Sequence, residues 1–263
     1  MGAAFEPDAQ PGAQAGRAAS GQPLALSLAA KKDHRMVMKL EKIVPFGRSL
    51  DEYKKMFALY DGDLSKNIIG VGDGPASFNA EMFTLGKFVV SVDPLYIFQA
   101  DEIEKQFYSV VDNIISQVKA TPDDWVWSHH RSPENLKENR VSVLRRFVGD
   151  FEEGKTDGRY IVGELPTLDF EEGEFQLALC SHFLFLYSDH LTYEFHRKSV
   201  LEMLRVASEV RIFPLLTLLL KMSPYVQPLI KELKSEGFLV SVEKVGYELQ
   251  KGGNEMLRIQ KAA

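Results

Sequence analysis

Asn67-Ile-Ile-Gly-Val-Gly-Asp-Gly-Pro-Ala-Ser-Phe78 is a short apolar run that empties into glycines, and Phe88-Val-Val-Ser-Val-Asp93 is a second apolar run that ends in an acid. Two buried parallel strands with a helix between them are expected, because strands covered on both faces read as continuous apolar runs. Gly70, Gly72 and Gly74 let the backbone approach a ligand closely, since glycine has no Cβ to collide with it. Asp93 lies about 20 residues past the glycines, where a carboxylate at a strand tip can accept hydrogen bonds from both ribose hydroxyls of an adenosine. Each signal has a plainer meaning: the glycines a tight packing corner, Asp93 a solvated turn aspartate. Even together they do not separate a nicotinamide cofactor from other adenosine-bearing ones.

Outward from this pair, strand and helix alternate. Ser49 and Glu52 form a capping box that opens a helix with Leu50, Tyr53, Phe57 and Tyr60 on one face, expected to lie against the sheet. Residues 96–118 read as a helix, 120–133 as a loop with Trp125, Trp127 and Pro133, and 134–153 as another helix. The stretch 96–158 is thus a long helical crossover, placed to act as a lid. Strands are expected at 159–162, 175–185 and 209–213, with helices at 191–207 and 225–236. Two final β runs, 238–249 and 255–259, are joined by the hairpin residues Lys251-Gly-Gly-Asn254. Residues 1–35 are rich in Ala, Gly, Gln and Pro and carry too little apolar surface to offset the entropy of ordering, so a disordered tail precedes a domain over 36–263.

These landmarks, in this order, resemble a class I S-adenosylmethionine-dependent methyltransferase over residues from about 45 to 261. Gly70-Val71-Gly72-Asp73-Gly74-Pro-Ala76 resembles that family's first motif, and Val89-Val-Ser-Val-Asp93-Pro94 its second strand with the ribose acid. Gly163-Glu164-Leu165-Pro-Thr-Leu-Asp-Phe170 resembles the segment after the third strand that contacts adenine. Phe175-Gln-Leu-Ala-Leu-Cys180-Ser181-His182-Phe-Leu-Phe185 resembles the fourth strand and the loop beside the methionine half of the cofactor. The terminal hairpin around Gly252 and Gly253 resembles the last two strands, one of them antiparallel, which a dinucleotide dehydrogenase ordinarily lacks. The resemblance implies an α/β fold, a three-layer Rossmann-like methyltransferase sandwich around a seven-stranded, mostly parallel sheet with an antiparallel C-terminal strand. It implies S-adenosyl-L-methionine as cofactor and methyl transfer to a small-molecule acceptor. Gly72 and Gly74 would admit the methionine portion, Asp93 hold ribose, Glu164 or Leu165 lie beside adenine, and Ser181 with His182 lie near the methyl. Two departures stand out: Gly70 replaces an acid common at the end of the first strand, and Ala76 a frequent glycine. Asp73, or a water, would then have to meet the cofactor's amino group.

Composition narrows the rest. The chain of 263 residues is 45% hydrophobic and 26% charged, with a formal net charge of -6, so there is no global positive field to collect nucleic acid phosphates. The single Cys180 excludes an intramolecular disulfide and multi-cysteine metal sites and suits a reducing cytoplasm; its plain reading is a buried thiol. The longest apolar stretch, 212–220, is about half the ~20 residues a bilayer crossing needs, and neither a membrane span nor a secretion signal is expected. His182 after the fourth strand is a candidate base, against the plainer reading of a histidine packed in a crowded loop. Ser188-Asp189 would cap the following helix rather than line a pocket. His129 and His130 are adjacent, but no further cluster supports a metal. Arg131, Lys137, Arg140, Arg145 and Arg146 read either as a solvated helix face or as an anionic-substrate site. Two further functions remain: a non-catalytic regulatory protein keeping the cofactor fold, favoured by Gly70, and a nicotinamide-dependent oxidoreductase, favoured by the glycine turn alone.

Overall fold

The computed structural model describes residues 46–262; the tail expected over 1–35, and positions 36–45 of the domain, lie outside the described residues. Ser49 caps α1 (Leu50–Met56): its hydroxyl accepts from the Glu52 N–H while the Glu52 carboxylate accepts from the Ser49 N–H. The helix is short because Ala58 leaves it at φ +47. Tyr53 and Phe57 are accordingly buried, whereas Tyr60, expected on the same face, is exposed.

Then follow β1 (Ile68–Val71), α2 (Phe78–Thr84), β2 (Val89–Val92), α3 (Ala100–Ala120), α4 (Pro133–Thr156), β3 (Tyr160–Ile161) and β4 (Phe175–Ser181). The chain ends with α5 (Tyr193–Val206), β5 (Ala207–Phe213), α6 (Val226–Ser235), β6 (Leu239–Lys244) and β7 (Glu255–Gln260). The seven strands form one sheet in the order β3-β2-β1-β4-β5-β7-β6, with β7 antiparallel to both of its neighbours. The result is the expected α/β sandwich around a seven-stranded, mostly parallel sheet with an antiparallel C-terminal strand.

Alternation along each strand divides the core between two faces. Leu177 and Leu179 of β4 pack with Tyr53, Phe78, Phe107 and Phe147 on one side; Ala178 and Cys180 pack with Val200, Met203 and Leu229 on the other. Helices α1 to α4 thus cover one face and α5 and α6 the second. Phe147 and Phe151 of α4 are fully buried, each worth about 1.5–3 kcal/mol of removed apolar surface. Asn79 ties the layers together: its amide donates to the Val89 and Arg159 carbonyls at 2.9 Å and to Ser91 Oγ at 3.1 Å.

The alternation of strand and helix lapses once, and two strands end earlier than expected. Residues 162–174, between β3 and β4, are irregular and held by Arg205, which donates to the Leu168 and Phe170 carbonyls. The fourth strand stops at Ser181 because His182 turns at φ +52. The sixth strand stops at Lys244 rather than 249, since the chain from 245 to 254 leaves the sheet to send Tyr247 and Leu249 into the core.

Candidate functional site

The parallel strands β1, β2 and β4 end at one edge, and their tips are tied together. Gly72 (φ +71) and Gly74 (φ +55) turn the chain out of β1 in a region of backbone space that side-chain-bearing residues rarely occupy. Gly72 N–H donates to the Val92 carbonyl at 2.9 Å. Asp93 accepts from the Gly74 and Leu95 N–H groups, both at 2.8 Å, and Tyr96 Oη donates to the Gly74 carbonyl at 2.8 Å. The glycine turn is thereby fixed to the acid at the tip of β2. Burial pushes the Asp93 carboxyl up to about 6, opposed by its two N–H donors and reinforced by the neighbouring Glu164 charge.

Asp73 takes an unforeseen place. A Cβ built on Gly70 would fall 1.9 Å from Asp73 Oδ2, so this carboxylate fills the volume that a side chain at Gly70 would need. There it accepts from Tyr53 Oη at 2.5 Å and Ser91 Oγ at 2.8 Å. Burial pushes its pKa up to about 7.

Beside these tips lies a buried polar cluster drawn from five parts of the chain. Arg140 of α4 grips Glu52 of α1 through both guanidinium ends, at 2.8 and 2.7 Å. Tyr247 Oη donates to Glu52 Oε1 at 2.9 Å, and His130 Nε2 lies 3.0 Å from Tyr247 Oη and 3.2 Å from Glu52 Oε1. Burial alone would raise the Glu52 carboxyl, but Arg140, His130 and Arg48 outweigh it and hold it well below the usual carboxylate range. His182 stands against Phe213, ring centroids 5.4 Å apart, with Nδ1 2.9 Å from Ser181 Oγ. Burial, then the charges of Arg48 and Arg140, depress its pKa far below the usual imidazole value, so the ring is neutral at pH 7.

The segment between α3 and α4 closes over this cluster. Val126 N–H donates to the Leu249 carbonyl at 2.8 Å and Lys251 N–H to the Asp124 carbonyl at 2.9 Å. Glu52, His129 and His130 bring one ligand atom each within 4.8 Å of one another, a spacing a cation can use, but the bidentate Arg140 already supplies the positive charge there. A separate groove of about 780 Å³ runs between α3 and α4; its charges pair with one another, as in Lys137–Asp112 and Lys119–Glu134, and it lies away from the strand tips.

No protein-family model matches the chain. The uncharacterised protein MJ0045 of Methanocaldococcus jannaschii is 32% identical over 225 residues, covering 85% of this chain and 99% of the archaeal one. The chain belongs to the same family as MJ0045. Among solved structures it is similar to the magnesium protoporphyrin IX methyltransferase of Synechocystis PCC 6803 with bound SAM, at 13% identity and a TM-score of 0.44, covering 81% of this chain and 78% of that one. It is also similar to a SAM-dependent methyltransferase from Aquifex aeolicus, at 12% identity and a TM-score of 0.38, covering 83% and 91%.

Within this family member, the structure brings Gly72, Gly74, Asp93, Ser181 and His182 to one edge, with Pro94 and Glu164 exposed beside them. Gly70 and Val71 are buried in β1. The side chains of Leu165 and Cys180 turn into the core, and burial raises the Cys180 thiol to about 12, leaving it neither nucleophile nor side-chain ligand. Arg140 is buried and paired, which corrects its expected place on a solvated basic face. Ser188 and Asp189 do not cap α5; Thr192 does. Sequence reasoning missed Arg48, Tyr53 and Tyr247. Their one available signal was Glu52, whose capping role concealed that a fully buried carboxylate needs further partners.

Proposed function

We propose that the protein transfers the methyl group of S-adenosylmethionine to a small-molecule acceptor. The observation that carries this reading is the junction of Asp93 with Gly74. A carboxylate that accepts only two backbone N–H groups keeps lone pairs for two ribose hydroxyls, and the adjoining loop has open space where a Cβ on Gly74 would stand. Asp93 would hold the ribose, Gly72 and Gly74 the methionine portion, Glu164 the adenine edge, and Ser181 with His182 the space around the transferred group. When bound, the cofactor supplies an electrophilic methyl on a sulfonium. The chain's own part is alignment and exclusion of water, for which no strong base is needed. His182, a neutral ring of weakened basicity, lines that space and orients an acceptor through Nε2.

Calorimetry with S-adenosylmethionine, S-adenosylhomocysteine and NAD on the wild type and Asp93→Ala tests the reading. Binding of the two sulfur cofactors, weakened at least about tenfold in the variant, is expected. Absence of binding, or preference for NAD, would overturn it. A second reading, a regulatory cofactor-binding protein without turnover, is favoured by Asp73, whose carboxylate faces the interior rather than the cofactor's amino group. Methylation of any acceptor would dismiss it.

A further inference from the structure

Arg48 leads out of the segment laid across the glycine turn. A Cβ on Gly47 would fall 2.0 Å from the Pro75 carbonyl oxygen, and the Ser77 N–H donates to the Arg48 carbonyl at 3.1 Å. Its guanidinium is incompletely used: Nη1 donates to the Phe46 carbonyl, whereas Nε is buried without a hydrogen-bond partner. Buried donors in folded proteins nearly always find an acceptor. Among the described residues Arg48 also forms no ion pair, and the adjacent carboxylate is in no position to provide one. Glu52 already accepts from both ends of Arg140, from Tyr247 and from the Ser49 N–H and hydroxyl, which fills the acceptor sites of a carboxylate. Burial and the nearby Arg140 lower Arg48 to about 10, and it remains a cation at neutral pH. Its backbone is fixed to the end of the glycine turn through Ser77, and its charge is felt by Tyr53, Tyr247 and His182.

We propose that Arg48 is the anchor of an anion-binding site and that a carboxylate carried by a ligand completes it. Given the function proposed above, two sources share this chemistry: the methionine carboxylate of the cofactor, or an acid group on the methyl acceptor. Arg140, saturated by Glu52, acts behind Arg48 as a fixed positive neighbour that favours an anion over any cation.

The experiment uses the full chain and its Arg48→Gln and Arg48→Lys variants. Because the guanidinium has so few partners, both variants are expected to keep the wild-type melting temperature. S-adenosylhomocysteine and 5′-methylthioadenosine, which lacks the amino-acid group, are titrated calorimetrically. Acetate is then titrated into free and S-adenosylhomocysteine-saturated protein while the Arg48 Nε–H resonance, assigned by its loss in the variants, is followed by NMR. A tenfold or greater loss of S-adenosylhomocysteine affinity in Arg48→Gln, smaller in Arg48→Lys, with unchanged binding of methylthioadenosine, supports the site and assigns it to the cofactor. Unchanged nucleoside binding, with an acetate-dependent shift of the Nε–H in the saturated protein, supports the site and assigns it to the acceptor. Equal weakening of both nucleosides, or no response in either arm, overturns it. If the wild type binds neither nucleoside, the methyltransferase reading fails, yet an acetate shift in the free protein still upholds the Arg48 site and its absence still overturns it.

Discussion

Asp73 carries its carboxylate into the interior, against the Tyr53 and Ser91 hydroxyls, and burial moves its pKa from 3.8 to about 7. The folded protein therefore holds a proton there more tightly than the unfolded chain does. Stability is undiminished below about pH 4 and falls as pH rises toward 7. Asp73→Asn removes this dependence: in urea titrations its stability relative to wild type is expected to grow by a few kcal/mol, on the order of 1.4 per pH unit, across that interval. A constant difference would refute the assignment. Asp93 behaves differently because its charge is what a ribose would use. With a carboxyl at about 6, affinity for S-adenosylhomocysteine is expected to be steady above pH 7 and to decline as pH falls through 6, a dependence that calorimetry would find missing in Asp93→Asn. The glycines and Asp93 were legible because a strand-turn-acid pattern is local. The inward turn of Asp73 was not, since it depends on Tyr53, Ser91 and a glycine at 70 meeting in space.

At the scale of elements, the closure of the segment between α3 and α4 rests on the Glu52–Arg140 pair. Removing one partner of a buried ion pair leaves the other uncompensated and costs about 3–5 kcal/mol. Arg140→Met is expected to lose stability of that order in denaturant titration and to speed proteolysis between Thr121 and Pro133, where the segment is otherwise pinned by its bonds to Leu249 and Lys251. Unaltered cleavage would show that the backbone bonds suffice. Cofactor is expected to slow the same cleavage in the wild type. Helices α3 and α4 were readable from their periodicity, but a basic run in α4 did not show that Arg140, alone of its neighbours Lys137, Arg145 and Arg146, points inward. The irregular course between β3 and β4 was equally hidden, because Leu165 and Leu168 are spaced as on one helix face yet are buried from a segment that Arg205 holds through its carbonyls.

For the whole molecule, the acidic balance of -6 and the absence of a long apolar helix among the described residues both bear on partners. A protein with so few cations to spare is expected to show no salt-sensitive binding to single-stranded or duplex RNA. Filter binding at low and moderate salt checks this; retention that falls steeply with salt would point to a macromolecular acceptor instead.

By itself the sequence determined the order of strands and helices, the glycine turn, the acid at the tip of the second strand and the final antiparallel pair. These follow from hydrophobic periodicity and from residues whose backbone demands are local. Only the tertiary structure decided that Asp73 fills the space over Gly70, that Glu52 is claimed by Arg140, and that Arg48 keeps a buried donor without an acceptor. Asp73 turns inward to hydroxyls 20 and 18 residues away, Glu52 is paired across 88 residues, and Arg48 keeps an open donor; the partner of a buried polar group is chosen by the packing around it rather than by its neighbours in sequence.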